Sequence, residues 1–477
     1  MTVHHNLIGG EWVGGEAVPN VNPANTAEVV GEYARATAAD AEAAIAAAKA
    51  AFPAWSRSGP LERHGVLSKA AAEILARKEE LGTLLSREEG KTLAEGIGET
   101  VRAAQIFDFF AGEGLRLTGE ILPSVRPGVG VEITREAVGP VGLITPWNFP
   151  IAIPAWKMAP ALAWGNTVVI KPADLVPGCT WALVDILHRA GLPKGVLNLV
   201  MGKGSVVGQA ILDSRDVRAV SFTGSVGTGR RVAEASVAVM RKFQLEMGGK
   251  NPMVVLDDAD LEVAVEACLN GAFYSTGQRC TASSRLIVQD GLHDRFVARL
   301  SERMRALVVG DPLDKATQIG PVVDAGQLDQ DERYIRIGKS EGAELVGGER
   351  VKKGTEGFFL APALFVGATN DMRISREEIF GPVASVIRVK DYDAALSVAN
   401  DTEFGLSAGI CTTALKYATH FKRNSQAGMV MVNLPTAGVD FHVPFGGSKG
   451  SSFGPREQGR YAAEFYTTVK TAYTAAG

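Results

Sequence analysis

Along the first quarter of the chain, apolar residues recur at helical spacing in three stretches: an alanine-rich run over 38–51, a stretch over 61–87 and a third over 90–112. This spacing predicts helices. Residues 117–138 change character, with Gly128-Val129-Gly130-Val131 leading into the alternating Glu132-Ile133-Thr134-Arg135-Glu136, and predict strands joined by a turn. Short apolar runs then alternate with helical segments: strands over 141–144, 167–170, 196–200 and 217–222, each followed by a helix, over 151–164, 179–190, 205–212 and 227–237. Strand-helix alternation at this spacing makes a parallel, doubly wound sheet of the α/β class, which takes ligands beyond the carboxyl ends of its strands. A second αβ unit follows, with strand 251–256, helix 260–274, strand 284–288 and helix 292–308, and a further strand over 384–389.

Length and composition narrow the reading. A chain of 477 residues with 46% hydrophobic residues is too long for one ordinary core and fills two or three domains. A formal net charge of -4 argues against a nucleic-acid or polybasic membrane partner, which needs clustered Lys and Arg. The four cysteines, Cys179, Cys268, Cys280 and Cys411, form no CxxC pair, so neither a metal site nor a disulfide framework is indicated and a reducing cytoplasm is expected. The N-terminus has no basic segment followed by an apolar run, and no apolar stretch reaches the ~20 residues of a membrane span. The expectation is a soluble, unprocessed, cytoplasmic protein.

Chemistry concentrates in two segments. Ser275-Thr276-Gly277-Gln278-Arg279-Cys280-Thr281 puts one cysteine in a small, polar surrounding, between a predicted helix and strand, where Arg279 and backbone N–H groups can favour a thiolate. Glu246-Met247-Gly248-Gly249-Lys250 puts a carboxylate beside two glycines, the makings of a general base. The plain alternative for Cys280 is a small buried hydrophobe. The strand ends add Thr145-Pro146-Trp147-Asn148, Lys171-Pro172-Ala173-Asp174, and glycine-rich turns at 202–208 and 223–229 whose helix N-termini suit a phosphate. Neither turn is a GxGxxG, and each alone reads equally as a tight connection. Lys171 and Asp174 are candidates for ribose hydroxyls; an acid there repels a 2'-phosphate and favours NAD over NADP.

Seven segments, in order, resemble one family along nearly the whole chain: PWNFP at 146–150, KP at 171–172, FTGS at 222–225, EMGGK at 246–250, GQRC at 277–280, EEIFGP at 377–382 and PFGGSK at 444–449. Together they look like the signature of the NAD(P)-dependent aldehyde dehydrogenase superfamily. The resemblance implies a Rossmann-like cofactor domain, an α/β catalytic domain and a small β oligomerisation element. It makes Cys280 the nucleophile, Glu246 the base and Asn148 the side-chain donor to the oxyanion. Lys171 and Glu378 would hold the two riboses, Ser225 the pyrophosphate, and Phe380 would pack near the nicotinamide. Thr145, Trp147, Gly204 and Gly224 join the cofactor contacts, with Asp174 where many NAD-preferring members carry Glu; NADP stays possible. Arg279 and Phe445 are the substrate candidates. A thiohemiacetal on Cys280 would give up hydride to the nicotinamide, leaving a thioester that Glu246 hydrolyses, because members passing the acyl group to coenzyme A generally lack this Glu.

Within the family, segments 388–393, 429–444 and 453–459 look most like members that oxidise 2-oxoglutarate semialdehyde (2,5-dioxopentanoate), with SSFGPRE where SGxGRE is usual. Succinate semialdehyde and a broad aldehyde range are the rivals. From other classes, a cofactor-free thiol hydrolase would leave the glycine-rich strand ends idle, and a non-catalytic scaffold would be expected to have lost Cys280, Glu246 or Asn148. The expected units are 1–116 with 139–247 for the dinucleotide, 248–445 for catalysis, and 117–138 with 460–477 for oligomerisation, which implies a homodimer or homotetramer.

Overall fold

The computed structural model describes residues 2–475. Met1 and residues 476–477, the outer ends of the first and last expected units, lie outside the described residues. Five strands run parallel, side by side, in the order Lys242–Glu246, Ala219–Thr223, Pro140–Ile144, Thr167–Lys171 and Leu197–Leu199. Ser452–Phe453 on one side, and Asn6–Ile8 with Glu11–Val13 on the other, extend them into an eight-stranded sheet with antiparallel margins. Ala219–Thr223 and Thr167–Lys171 are buried along their whole length, as a sheet covered by helices on both faces requires. The parallel part of this sheet begins at Pro140–Ile144, steps outward to Leu197–Leu199, then crosses back to Ala219–Thr223. The reversal puts a ligand-binding crevice between the ends of Pro140–Ile144 and Ala219–Thr223.

A second sheet has seven strands in the order Glu344–Gly347, Ala363–Val366, Val383–Val389, Ser283–Gln289, Asn251–Val255, Ser407–Cys411 and Met429–Val432. All but the first run parallel to their neighbours. Only Met247, Gly248, Gly249 and Lys250 separate the end of Lys242–Glu246 from the start of Asn251–Val255. A link this short forces the carboxyl ends of the first sheet to face the amino ends of the second.

Among the described residues three smaller sheets complete the fold, one of them the two-stranded pair Phe404–Gly405 with Ser448–Lys449. Val3–His4, Asn25–Arg35 and Glu16–Asn22 form another. Thr467–Ala475, Val129–Ala137 and Glu120–Pro123 form an antiparallel arm whose outer strands carry the exposed Ile121, Val469 and Tyr473. No described helix is long and apolar enough to cross a membrane.

Three local differences from the sequence reading have physical causes. The stretch 61–87 is two helices, Pro60–Ala76 and Lys78–Glu89, because Arg77 leaves helical geometry (φ -102°, ψ 21°) with its guanidinium held by Glu73 and Glu80. The expected helix over 205–212 opens as a π turn, Gly204–Gly208, and only then becomes the α-helix Gln209–Asp213. The strands before residue 36 pair with each other or with Leu197–Leu199, partners that local periodicity does not reveal.

The arm is rooted by one buried side chain. Asn166 Oδ1 accepts the N–H of Val138 (2.8 Å) and of Gly139 (3.2 Å), while Nδ2 donates to the carbonyls of Ala161 (3.1 Å) and Tyr466 (2.9 Å). It thereby fixes both the exit and the return of the arm. Asn166→Ala strands the N–H groups of Val138 and Gly139 and the Tyr466 carbonyl, at about 3 kcal/mol, while the Ala161 carbonyl keeps the main-chain N–H of position 166. Scanning fluorimetry should show Tm lower by roughly 5 °C; a shift within error would mean water replaces the amide.

Candidate active site

The residues expected to contact a cofactor lie around the crevice at the strand reversal. Thr145 follows Pro140–Ile144 and Thr223 ends Ala219–Thr223; both are buried, and neither Oγ1 has a protein partner. Gly224 and the exposed Ser225 come next, and Ser225 caps the helix Val226–Ala238 by accepting the N–H of Thr228 at 3.4 Å. Gly204 opens onto free space at the third strand end. Lys171 is buried at the end of its strand, where desolvation pushes its ammonium below the usual range against the opposing charge of Asp174. Asp174 itself is exposed, with Arg35 Nη2 at 3.9 Å. From the segment that leads into Val383–Val389 comes Glu378. Its Oε1 accepts the N–H of Gly249 at 2.8 Å, and burial pushes its carboxyl up to about 7. Gly248 is required here, because a Cβ would occupy the place of that carboxyl. Phe380 adopts φ +66°, a strained backbone for a non-glycine residue, and sets its ring at 82° to Trp147 with centroids 5.3 Å apart.

Cys280 sits across the seam, before Ser283–Gln289, and is half-buried; the other three cysteines are buried. Its approach is strained: Ser275, Thr276 and Gly277 take φ of 52°, 56° and 67° in succession. Such a turn persists only where its surroundings over-determine it. Asn148 Nδ2 donates to the Gln278 carbonyl (3.0 Å), the Val323 N–H donates to Gln278 Oε1 (2.9 Å), and Asn251 Nδ2 donates to the carbonyls of Cys280 (2.8 Å) and Ala282 (2.9 Å). Arg279 is the strongest brace. Nε donates to Ser275 Oγ (3.0 Å), Nη1 to Asn270 Oδ1 (3.2 Å) and Nη2 to Glu95 Oε1 (3.2 Å).

The electrostatics correct one expectation. Arg279 does not make Cys280 acidic, because Glu95 neutralises it. Burial, then the charges of Glu246 and Glu378, push the thiol up to about 12, opposed by the N–H groups of Cys280 and Thr281. Glu246 is buried at the end of Lys242–Glu246, and its Oε2 accepts Ser452 Oγ–H at 2.6 Å. Burial and the charge of Glu457 raise its carboxyl well above the usual range, against Ser452, Lys157 and Arg456. Lys157 and Glu457 form a buried ion pair, with Lys157 also donating to Ser221 Oγ at 2.6 Å. Burial thus makes the Glu246 carboxylate a stronger proton acceptor than an exposed one, which suits it to take a proton from water.

Cys280 opens into a cavity of about 800 Å³, with Phe149, Trp156 and Phe445 among its apolar walls. Trp156 and Phe445 lie with ring centroids 5.3 Å apart, and Phe445 is locked by paired backbone hydrogen bonds with Glu457 (2.7 and 2.9 Å). Glu95, Gly98, Glu99 and Arg102, one stripe of the helix Leu93–Glu113, form another wall together with Lys91. The sequence reading missed this stripe. Its only local signal is the spacing of Glu95, Glu99 and Arg102 on one helix face. Lys91 Nζ donates to Glu99 Oε2 (2.8 Å) and to the Asn148 carbonyl, so it holds the oxyanion candidate from behind.

Comparison with known proteins agrees with this geometry. The model of the Aldehyde dehydrogenase family matches residues 12–472. The chain is 46% identical over 474 residues to alpha-ketoglutaric semialdehyde dehydrogenase of Bacillus subtilis (strain 168), covering 98% of this chain and 97% of that protein. It is 44% identical over 475 residues to alpha-ketoglutarate semialdehyde dehydrogenase of Haloferax volcanii, covering 98% of each. The crystal structure of an NAD-dependent aldehyde dehydrogenase from Sinorhizobium meliloti superposes with a TM-score of 0.97 at 37% identity, over 100% of this chain and 95% of that one. With a thiol, a raised carboxyl and a side-chain amide gathered where two sheets meet, and with likeness running from end to end, the chain belongs to the aldehyde dehydrogenase family.

Proposed function

We propose that this NAD(P)-dependent aldehyde dehydrogenase converts 2-oxoglutarate semialdehyde to 2-oxoglutarate. The observation that carries the substrate is the end-to-end likeness to two enzymes named for that aldehyde. The cationic groups lining the cavity beside Cys280 support it. Succinate semialdehyde, which presents the same distal carboxylate, is the nearest rival.

The crevice fits a dinucleotide. Orphaned hydroxyls at Thr145 and Thr223, the open turn at Gly204 and the exposed helix start at Gly224 and Ser225 are donors awaiting an acceptor. Lys171 and Glu378 would hold the riboses, and Trp147 and Phe380 the nicotinamide side. Asp174 disfavours a 2'-phosphate and so favours NAD, while the nearby Arg35 tempers that preference. When bound, the cofactor accepts the hydrogen and electron pair that leave the aldehyde carbon.

The chain's own groups perform the remaining steps. Cys280 thiolate adds to the aldehyde carbon, and the carbonyl electrons move onto its oxygen. Asn148 has one amide N–H committed to Gln278; the second, with the N–H of Cys280, is available to that oxyanion, and one such donor is typically worth ~3-4 kcal/mol. After oxidation the acyl group remains on Cys280 as a thioester. Glu246 takes a proton from water, the water oxygen adds to the acyl carbon, and the sulfur leaves as thiolate. The units 1–116 with 139–247, 248–445, and the arm over 117–138 with 460–477 are proposed as dinucleotide, catalytic and oligomerisation units of a cytoplasmic dimer or tetramer. The exposed apolar residues on the arm's edge strands support the last assignment.

Three outcomes follow. At 340 nm, kcat/KM for 2-oxoglutarate and succinate semialdehydes should exceed that for a neutral aliphatic aldehyde by at least about tenfold; equal use of the neutral aldehyde would sink the substrate assignment. Glu246→Gln should give a stoichiometric burst of reduced cofactor followed by turnover lower by about 10²–10⁴; loss of the burst itself would place Glu246 before the thioester. Iodoacetamide should label Cys280 faster as pH rises, because its raised pKa leaves little thiolate at neutrality. At pH 9 Glu378 is ionised, so Glu378→Gln removes an anion, lowers the thiol pKa and speeds labelling by roughly threefold, where one pKa unit would be tenfold.

A further inference from the structure

Three cationic side chains line the cavity beside Cys280: Lys91, Arg102 and Arg279. Two are committed. Lys91 is paired with Glu99 at 2.8 Å and donates to Asn148, so releasing it would unseat the oxyanion candidate. Arg279 is paired with Glu95 at 3.2 Å and holds Ser275 and Asn270, so releasing it would loosen the strained turn that aims the nucleophile. Arg102 differs. Among the described residues it forms no ion pair within 4 Å, and its guanidinium makes a single protein hydrogen bond, Nη2 to Gln458 Oε1 at 3.1 Å. Its Nε is buried without a partner, as is Nε2 of Gln458.

The helix explains why this arginine is presented. Glu95, Glu99 and Arg102 lie on one face of Leu93–Glu113, at spacings that bring successive side chains to the same wall. The first two are neutralised by Arg279 and Lys91, and Glu99 Oε1 also accepts the N–H of Ile151 (3.1 Å) and Ala152 (3.0 Å). A planar guanidinium with free N–H groups is thus left facing a cavity whose other surfaces include Trp156 and Phe445. That is the arrangement that recognises a carboxylate by paired, charge-assisted hydrogen bonds. Glu99, Asp440 and Cys280 are the charged or titratable groups whose fields reach Arg102. Asp440, also in the cavity wall, is the one competitor not already paired at closer range.

We propose that Arg102 binds the distal carboxylate of the aldehyde substrate and sets the preference for acidic semialdehydes, an inference that rests on the substrate class proposed above. Arg279, the candidate beside the nucleophile in sequence, is in this account the brace of the Cys280 turn. The two arginines then separate by what their loss does. Arg102→Met should lower the ratio of kcat/KM for succinate semialdehyde over that for butanal on the order of 100-fold, mainly through KM for the acid. Arg102→Lys, which keeps the charge but not the paired geometry, should retain part of the ratio. Arg279→Met should lower both substrates alike, through kcat. Asp440→Asn, by removing the competitor, should lower KM for the acid.

Glutarate provides a readout independent of turnover: it should slow iodoacetamide labelling of Cys280 in the wild type and fail to do so in Arg102→Met. An acid-to-neutral ratio unchanged in Arg102→Met, with glutarate protection retained, would overturn the assignment while leaving the substrate reading intact. A wild-type enzyme indifferent to the carboxylate would instead overturn the substrate reading and this assignment with it.

Discussion

The four-residue link from Met247 to Lys250 is the constraint on which the site depends. It ends one parallel sheet at Glu246 and begins another at Asn251, so it cannot let the sheets lie end away from end. The carboxyl ends proposed to bind the dinucleotide are thereby held against amino ends that carry Cys280. Gly248 and Gly249 permit the closeness: a Cβ on Gly248 would meet the Glu378 carboxyl, and one on Gly249 would meet the carbonyl of Cys280. Glu246, Glu378 and Cys280, the proposed base, cofactor contact and nucleophile, are thus gathered at one seam because the chain has no slack to separate them. This is why a segment that reads as a simple loop in sequence carries Glu246 at one end and supports Cys280 at the other.

Bringing these groups together buries charge, and the structure handles that cost by pairing. Lys157 with Glu457 and Lys91 with Glu99 are ion pairs with almost no exposure, each supplemented by hydrogen bonds to Ser221 or to backbone groups. Pairs of this kind add little net stability, because desolvation cancels most of the attraction, but removing one partner leaves an uncompensated buried charge. Their value here is positional. Glu457 also raises Glu246 and fixes Phe445 through the backbone, while Lys91 fixes Asn148. The acid groups left unpaired, Glu246 and Glu378, respond as buried carboxyls must and hold their protons more tightly.

Much of this was legible in the sequence where the signal was local. The strand-helix alternation from residue 140 to 238 gave the parallel sheet, and the glycines and polar residues at its strand ends gave the crevice. Cys280 and Glu246 stood out because each sits in a short, polar, glycine-containing segment that fits neither helical nor strand periodicity. The strand Lys242–Glu246 escaped notice, since its alternation of charged and apolar residues is brief and only pairing with Ala219–Thr223 makes it central. The cavity stripe on Leu93–Glu113 escaped for a different reason. Glu95 meets Arg279 across 184 positions and Lys91 meets Asn148 across 57, and no periodicity encodes such partners.

Sequence adjacency carries two readings at Arg279. An arginine directly before a nucleophilic cysteine suggests a group that serves the substrate or activates the thiol, yet a residue in that place is also best placed to hold the turn. Ser275 and Thr276 in left-handed geometry are costly, at about 1–3 kcal/mol each, and something must oppose their relaxation. A guanidinium reaching Ser275, Asn270 and Glu95 at once does so, and it can do so only while it stays bound to them. On the proposal made for Arg102, substrate recognition falls to a side chain on a rigid element with a single protein hydrogen bond, because such a group can exchange partners in each catalytic cycle without disturbing the geometry of the nucleophile. A helix face meets that requirement and a strained turn does not.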